Sequence, residues 1–128
     1  MTQETVLHSP SPEILDIPLA RKVIGLDDES LLEIFVDFVS NHAGMGATLE
    51  QAYQEQNFAK LRELAHYLKG SSSSICAPQL ETSCRALEHQ AKSWQALDGT
   101  DLSPTPQLVE EVNNALAQVI KLITKLQV

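Results

Sequence analysis

His66 is the residue in this sequence whose surroundings best suit chemistry. An imidazole can act as a nucleophile, and the residues three, four and seven positions away share its side of a helix. These neighbours are Ala59, Arg62, Glu63, Lys69, Gly70 and Ser73. The cations Arg62 and Lys69 lie on either side of the ring, where positive charge suits the oxygens of a transferring phosphoryl group. The pattern therefore indicates nucleophilic phosphoryl chemistry at His66.

A glycine follows the histidine by one turn, at Gly70. Glycine in an exposed helix interior costs about 1 kcal/mol relative to alanine, so its presence there needs a reason. Close approach of another protein supplies one. We expect Gly70 to leave clearance for a partner, with Ala59, Glu63 and Ser73 completing the docking face.

The helix that carries His66 is predicted from Asn57, a suitable N-cap, to about Ile75. With successive residues 100° apart, one stripe must face the core, and His66 points the other way. The members of this stripe are Leu61, Leu64, Leu68, Ser71 and Ile75.

The rest of the chain also shows helical spacing, with prolines and caps at the expected ends. We predict a short helix between Pro18 and Gly25, followed by a helix that begins at Asp27 or Asp28 and kinks near Gly44 and Gly46. After the histidine helix we predict a helix from Pro78, a loop over 97–104 and a long helix from Thr105. Residues 1–11 are expected to be a flexible tail and 12–128 one domain. The fold class is all-α: an antiparallel up-down four-helix bundle with a short additional N-terminal helix.

Composition excludes several classes of partner. The 128 residues include 17 acidic and 9 basic side chains, a formal charge of -8, which repels nucleic acid and anionic membrane surfaces. No apolar run approaches the ~20 residues that span a bilayer. The two cysteines and the absence of a leader at Met1 favour a reduced cytoplasmic location, and we expect a monomer.

The segment His66-Tyr67-Leu68-Lys69-Gly70-Ser71-Ser72 resembles the His-x-Leu-Lys-Gly-Ser signature of histidine-containing phosphotransfer (HPt) domains. The resemblance extends from Asp28 to about Ala91. It includes Ala65, Ile75, Leu80 and the Leu87-Glu88 pair.

This resemblance implies a bundle whose exposed histidine, here His66, accepts a phosphoryl group from a receiver-domain aspartate of a hybrid sensor kinase. The histidine then passes the group to the aspartate of a response regulator. Lys69 matches the lysine that steadies the phosphoryl oxygens, with Arg62 as auxiliary charge. Gly70 matches the glycine that leaves space for the receiver. Glu88 matches a residue that hydrogen-bonds the other ring nitrogen and so orients the histidine.

The same resemblance implies a phosphocarrier and not an autonomous enzyme. The chain is expected to need no cofactor or metal, since Mg²⁺ belongs to the partner receiver. Two residues depart from the family pattern: Cys76 replaces the glycine usual after the histidine helix, and Asn57 replaces an acidic residue before it.

Some residues are expected to have more ordinary roles. His8, His42 and His89 are interpreted as solvated side chains. The apolar Ile14, Leu15 and Ile17 are candidates for an exposed patch that a receiver could contact.

Two alternatives come from other classes of protein. Glu63 and His66 form a Glu-x-x-His pair, which binds iron in some helical bundles, but no second copy exists and both residues point away from the predicted core. The other alternative is a helical adaptor that binds a signalling partner through the same face without being phosphorylated.

Overall fold

The computed structural model describes residues 6–95 and 103–127. In these residues it contains six helices and no strand. The helices are α1 (Ile17–Ile24), α2 (Asp28–His42), α3 (Met45–Gln54), α4 (Phe58–Ser74), α5 (Pro78–Gln95) and α6 (Thr105–Leu126). The predicted kink is a break at 43–44 that separates α2 from α3. None of the described helices combines the length and apolarity needed to cross a membrane.

The helices form the predicted all-α four-helix bundle with a short leading helix. The α2–α3 arm, α4, α5 and α6 are its four members, and α4 packs most extensively against α5, which in turn packs against α6. Phe35, Leu61, Leu87 and Val112 are fully buried, one from each arm. Burial of each such side chain is worth about 1.5–3 kcal/mol.

The buried stripe of α4 agrees with the prediction at Leu61, Leu68 and Ile75. Leu64 and Ser71 are only half-buried, whereas Ala65 and Ser72 are buried. The core face is therefore rotated slightly relative to the predicted one.

The connection from α4 to α5 depends on Cys76. The amide of Cys76 donates to the Ser73 carbonyl at 3.1 Å, and that of Ala77 donates to the Ser72 carbonyl at 2.9 Å. These two bonds define a Schellman motif, whose first residue beyond the helix cap takes a left-handed conformation. Cys76 has φ +62° there, so it adopts the conformation that glycine adopts more readily.

Asp28 fastens the N-terminal segment to the bundle. Its carboxylate accepts from the Leu7 amide at 2.8 Å and from Nε and a terminal nitrogen of Arg21 at 2.8 and 2.7 Å. Leu7 is buried. The tail that was expected to be flexible is thus packed against the domain at Leu7. Residues 1–5 of that tail, and residues 97–102 of the predicted loop, lie outside the described residues.

The predicted exposed patch is wrong at two of its three residues. Leu15 and Ile17 are fully buried, and Ile14 is half-buried. The reason is a pair of backbone hydrogen bonds that hold this segment against the α4–α5 connection: the Asp16 amide donates to the Cys76 carbonyl and the Gln79 amide to the Glu13 carbonyl. The apolar side chains therefore close one end of the core.

The pKa of Asp28 tests this N-terminal attachment. The hydrogen bond from Arg21 outweighs partial burial and, with the Leu7 amide, lowers that pKa to about 2. Because the folded-state pKa is depressed, the stabilisation is complete above the ordinary value of about 4 and is lost as pH falls toward 2. Asp28→Asn should lower the free energy of unfolding by about 1–2 kcal/mol at pH 7 and speed hydrogen exchange at the Leu7 amide.

Urea unfolding monitored at several pH values measures this effect, and the deficit of the variant should shrink below pH 4. Glu29→Gln is the matched control, since Glu29 is an exposed carboxylate in the same helical turn. An unfolding free energy that Asp28→Asn and Glu29→Gln change equally would contradict the assigned role.

Candidate functional site

His66 projects from the middle of α4 away from the core. Its side chain is 69% exposed, whereas the neighbouring Ala65 and Leu68 are fully buried. The adjacent helix α5 runs antiparallel to α4, since Ser72 contacts Cys84 while His66, earlier in α4, contacts Glu88, later in α5. The backbone of His66 is thus held by the packed helix, while its side chain is open to solvent.

Glu88 accepts a hydrogen bond from the ring of His66. The distances from Nδ1 to its carboxylate oxygens Oε1 and Oε2 are 3.1 and 3.3 Å. An ionised carboxylate can only accept, so the proton of the neutral ring resides on Nδ1. The lone pair is then on Nε2, which makes Nε2 the nucleophilic nitrogen.

The same carboxylate binds Lys69. The ammonium Nζ lies 2.8 Å from Oε2 of Glu88, and the two side chains are only 26% and 19% exposed. Partial burial alone would raise the pKa of Glu88, but hydrogen bonds from Lys69 and His66 lower it below its ordinary value. Glu88 therefore stays ionised at neutral pH and joins the two motif residues.

Arg62, Glu63 and Ala59 line an open cavity together with His66 and Glu88. Its volume of about 350 Å³ exceeds that of a phosphoryl group. The cavity thus brings together five of the predicted site residues.

The other predicted docking residues lie along the same outer face. Gly70 and Ser73 are exposed. A Cβ built on Gly70 would meet nothing within 4 Å, so nothing within the described chain requires glycine there. The clearance role expected for Gly70 therefore stays a prediction.

Tyr67 was not among the predicted site residues, and the prediction that His42 is solvated is wrong. Tyr67 is 56% exposed beside His66 and stacks on His42, which is buried and not solvated as predicted. The overlooked signal was spacing: Phe35, Phe38 and His42 recur at three and four residues, so His42 continues the buried stripe of α2.

The described residues also allow metal binding and thiol chemistry to be examined. No three His, Cys, Asp or Glu side chains there are grouped so that they could bind a metal ion. Cys76 and Cys84 are both buried, and burial raises the pKa of the Cys84 thiol to about 12, so this thiol is a poor nucleophile.

The Glu88 contact predicts the tautomer of His66. Glu88→Ala should shift the neutral ring toward the Nε2–H form that solvated imidazoles favour, because no acceptor remains for Nδ1–H. Ring ¹⁵N chemical shifts at about pH 9, where an ordinary imidazole is neutral, report the tautomer ratio. Glu81→Ala removes a carboxylate of the same helix that pairs with Arg85, and it should leave that ratio unchanged. Equal ratios in the protein and in Glu88→Ala would show that Glu88 does not orient the ring.

Comparison with known proteins identifies a family for this chain. The family model of the Hpt domain matches residues 30–121, which is well over half of the chain and includes α4 and α5. Neither the curated proteins nor the solved structures give a significant match. Hpt domains carry phosphoryl groups in two-component signalling and interact with receiver domains. The helical bundle, its exposed motif histidine and the match together show that this chain belongs to the Hpt domain family.

Proposed function

We propose that this protein is a phosphorelay intermediate. His66 accepts a phosphoryl group from a receiver-domain aspartate of a hybrid sensor kinase and passes it to the aspartate of a response regulator. The observation that carries the proposal is the exposed imidazole of His66, whose Nδ1 is held by the Glu88 carboxylate while Nε2 keeps its lone pair.

The transfer step follows from this arrangement. The Nε2 lone pair attacks the phosphorus of an aspartyl phosphate, the N–P bond forms, and the P–O bond breaks so that the aspartate leaves as a carboxylate. The phosphorylated ring gains a positive charge and keeps its proton on Nδ1, where the negative charge of Glu88 compensates it. Onward transfer is the reverse reaction with a second receiver.

Lys69 and Arg62 supply the positive charge for the phosphoryl oxygens. Lys69 is held near the ring by its ion pair with Glu88, so little conformational entropy is lost when it meets an anion. Arg62 forms part of the cavity wall beside His66. We assign the larger effect to Lys69, because it shares the carboxylate that orients the nucleophile.

The outer face of α4 supplies the docking surface. Gly70 lowers the profile of the helix one turn beyond His66, and Ser73, Ala59 and Glu63 are exposed around it. The phosphoryl group arrives on a protein, because the sequence shows no glycine-rich phosphate loop. We place the Mg²⁺ on the receiver and propose a metal-free cytoplasmic monomer with no kinase activity of its own.

His66→Gln should abolish phosphoryl transfer while the bundle stays folded, because the exposed ring contributes little packing. Candidate receiver domains carrying ³²P-labelled aspartyl phosphate measure the transfer, and the label on this chain should be acid-labile, as an N–P bond requires. His89→Gln, at an exposed histidine of α5, is the matched control and should accept label normally. Equal labelling of His66→Gln would refute the site, and receiver binding without any transfer would favour the adaptor.

Gly70→Ala should separate stability from function. Alanine in this exposed helical position should raise the free energy of unfolding by about 0.5–1 kcal/mol, because it restricts the unfolded chain and nothing obstructs its methyl group. Receiver-dependent transfer should slow, and Gly70→Gln should slow it further, because each side chain occupies the space that the receiver needs. Ala117→Gln adds a side chain of the same size at an exposed position of α6, outside the docking surface, and serves as the control. Unchanged transfer in Gly70→Gln would contradict the clearance role.

A further inference from the structure

Tyr67 is an exposed aromatic residue immediately next to the histidine that we propose as phosphoacceptor. It is 56% exposed, and the other large apolar residues exposed in the described chain, Val6, Leu19, Val23 and Leu26, all precede α2. Successive residues of a helix lie 1.5 Å apart along the axis and 100° apart around it. A partner large enough to cover His66 therefore also meets Tyr67.

The ring of Tyr67 is supported from beneath by a ladder of stacked rings. Its centroid lies 5.5 Å from that of His42 with an interplanar angle of 23°, and His42 lies 4.3 Å from Phe38 at 20°. Phe38 and His42 are each only 4% exposed. One side of the tyrosine thus rests on the end of α2, and the rest of it faces solvent.

His42 is locked in the middle of this ladder. Its Nδ1 donates to the Phe38 carbonyl at 2.7 Å, which fixes the ring plane, because the carbonyl can only accept. Its Nε2 is buried and has no hydrogen-bond partner among the described residues. Burying a polar atom without a hydrogen-bond partner is unfavourable, so an apolar side chain would suit this buried position better. What it does provide is a planar surface that stacks on Phe38 and on Tyr67.

An aromatic side chain held in this way is well suited to binding. Aromatic residues are enriched among the few residues that dominate interface energies, and a ring that is already ordered loses little entropy on association. Tyr67 combines a large apolar face with a polar tip, which allows it to be both exposed in the free protein and buried in a complex.

We propose that Tyr67 is the aromatic anchor of the receiver-docking surface and that His42 is its positioning residue. The inference rests on the proposed function and adds a determinant of receiver affinity to it. The partner is a receiver domain that presents an apolar concave surface beside its phosphorylated aspartate. Tyr67 sets how tightly a receiver binds, and thereby which receivers are used, while His66, Lys69 and Glu88 perform the transfer.

Two phosphoryl donors of different size test the proposal on the full chain. Phosphoramidate is a small donor that needs no docking surface, and a phosphorylated receiver domain is a large one. Tyr67→Ala should raise the half-saturating receiver concentration at least tenfold and change the rate of labelling by phosphoramidate less than twofold. Tyr67→Phe keeps the ring and should stay within threefold of the unaltered protein for both donors.

The role of His42 is tested by a pair of variants. His42→Ala removes the stack beneath Tyr67 and should raise the half-saturating receiver concentration. His42→Phe keeps a ring at this position and should restore the value, although it cannot make the hydrogen bond to Phe38. If His42 has only a structural role, His42→Ala should alter thermal unfolding but leave the half-saturating receiver concentration unchanged.

The outcomes separate failure of the Tyr67 anchor from failure of the proposed function. An unchanged half-saturating concentration in Tyr67→Ala overturns the anchor, and so does an equal loss of labelling with both donors. No labelling of the unaltered protein by either donor overturns the proposed function instead. If a receiver binds without transfer, the dissociation constants of the same variants still decide whether Tyr67 is the anchor.

Discussion

One carboxylate connects the two motif residues that matter most for the proposed chemistry. Glu88 accepts from Nδ1 of His66 and forms an ion pair with Nζ of Lys69, so a single side chain of α5 fixes the tautomer of the nucleophile and the place of the cation. Its own pKa is low because those two partners outweigh its partial burial. The three groups thus depend on one another, and each would be less well defined without the other two.

This arrangement requires α4 and α5 to keep a fixed register. A shift of α5 by one residue would rotate Glu88 by 100° and move it 1.5 Å, which is enough to break both contacts. Apolar packing of Leu68 and Leu87 in the core resists rotation of either helix, and the short connection through Cys76 restricts sliding. Cys76 lies in this connection in a left-handed conformation, which costs a non-glycine residue about 1 kcal/mol or more.

Local sequence predicted the helices and most of the site, because helical periodicity, caps and prolines are local properties. The exposure of His66 could be predicted from the same periodicity, and the position of Glu88 near the ring could be predicted once the motif was identified. The burial of Leu15 and Ile17 could not be predicted in this way, since it depends on hydrogen bonds with Cys76 and Gln79, which lie sixty or more residues further along the chain. The stack of His42 on Tyr67 likewise joins two helices. The contact between Glu88 and Lys69 could not be predicted from helix faces alone, because it also depends on the side-chain rotamers.

The outer face of α4 sacrifices stability at several points that a free-standing bundle would have no reason to accept. Gly70 weakens the helix although a larger residue would fit, and Tyr67 leaves a large ring half in water. His42 buries a nitrogen that has no hydrogen-bond partner among the described residues, and its ring stacks beneath that of Tyr67. Natural proteins tolerate such local conflicts where function demands them. All three lie within one or two turns of His66 or directly beneath its neighbour, so the receiver contact that we propose for this face would account for them together.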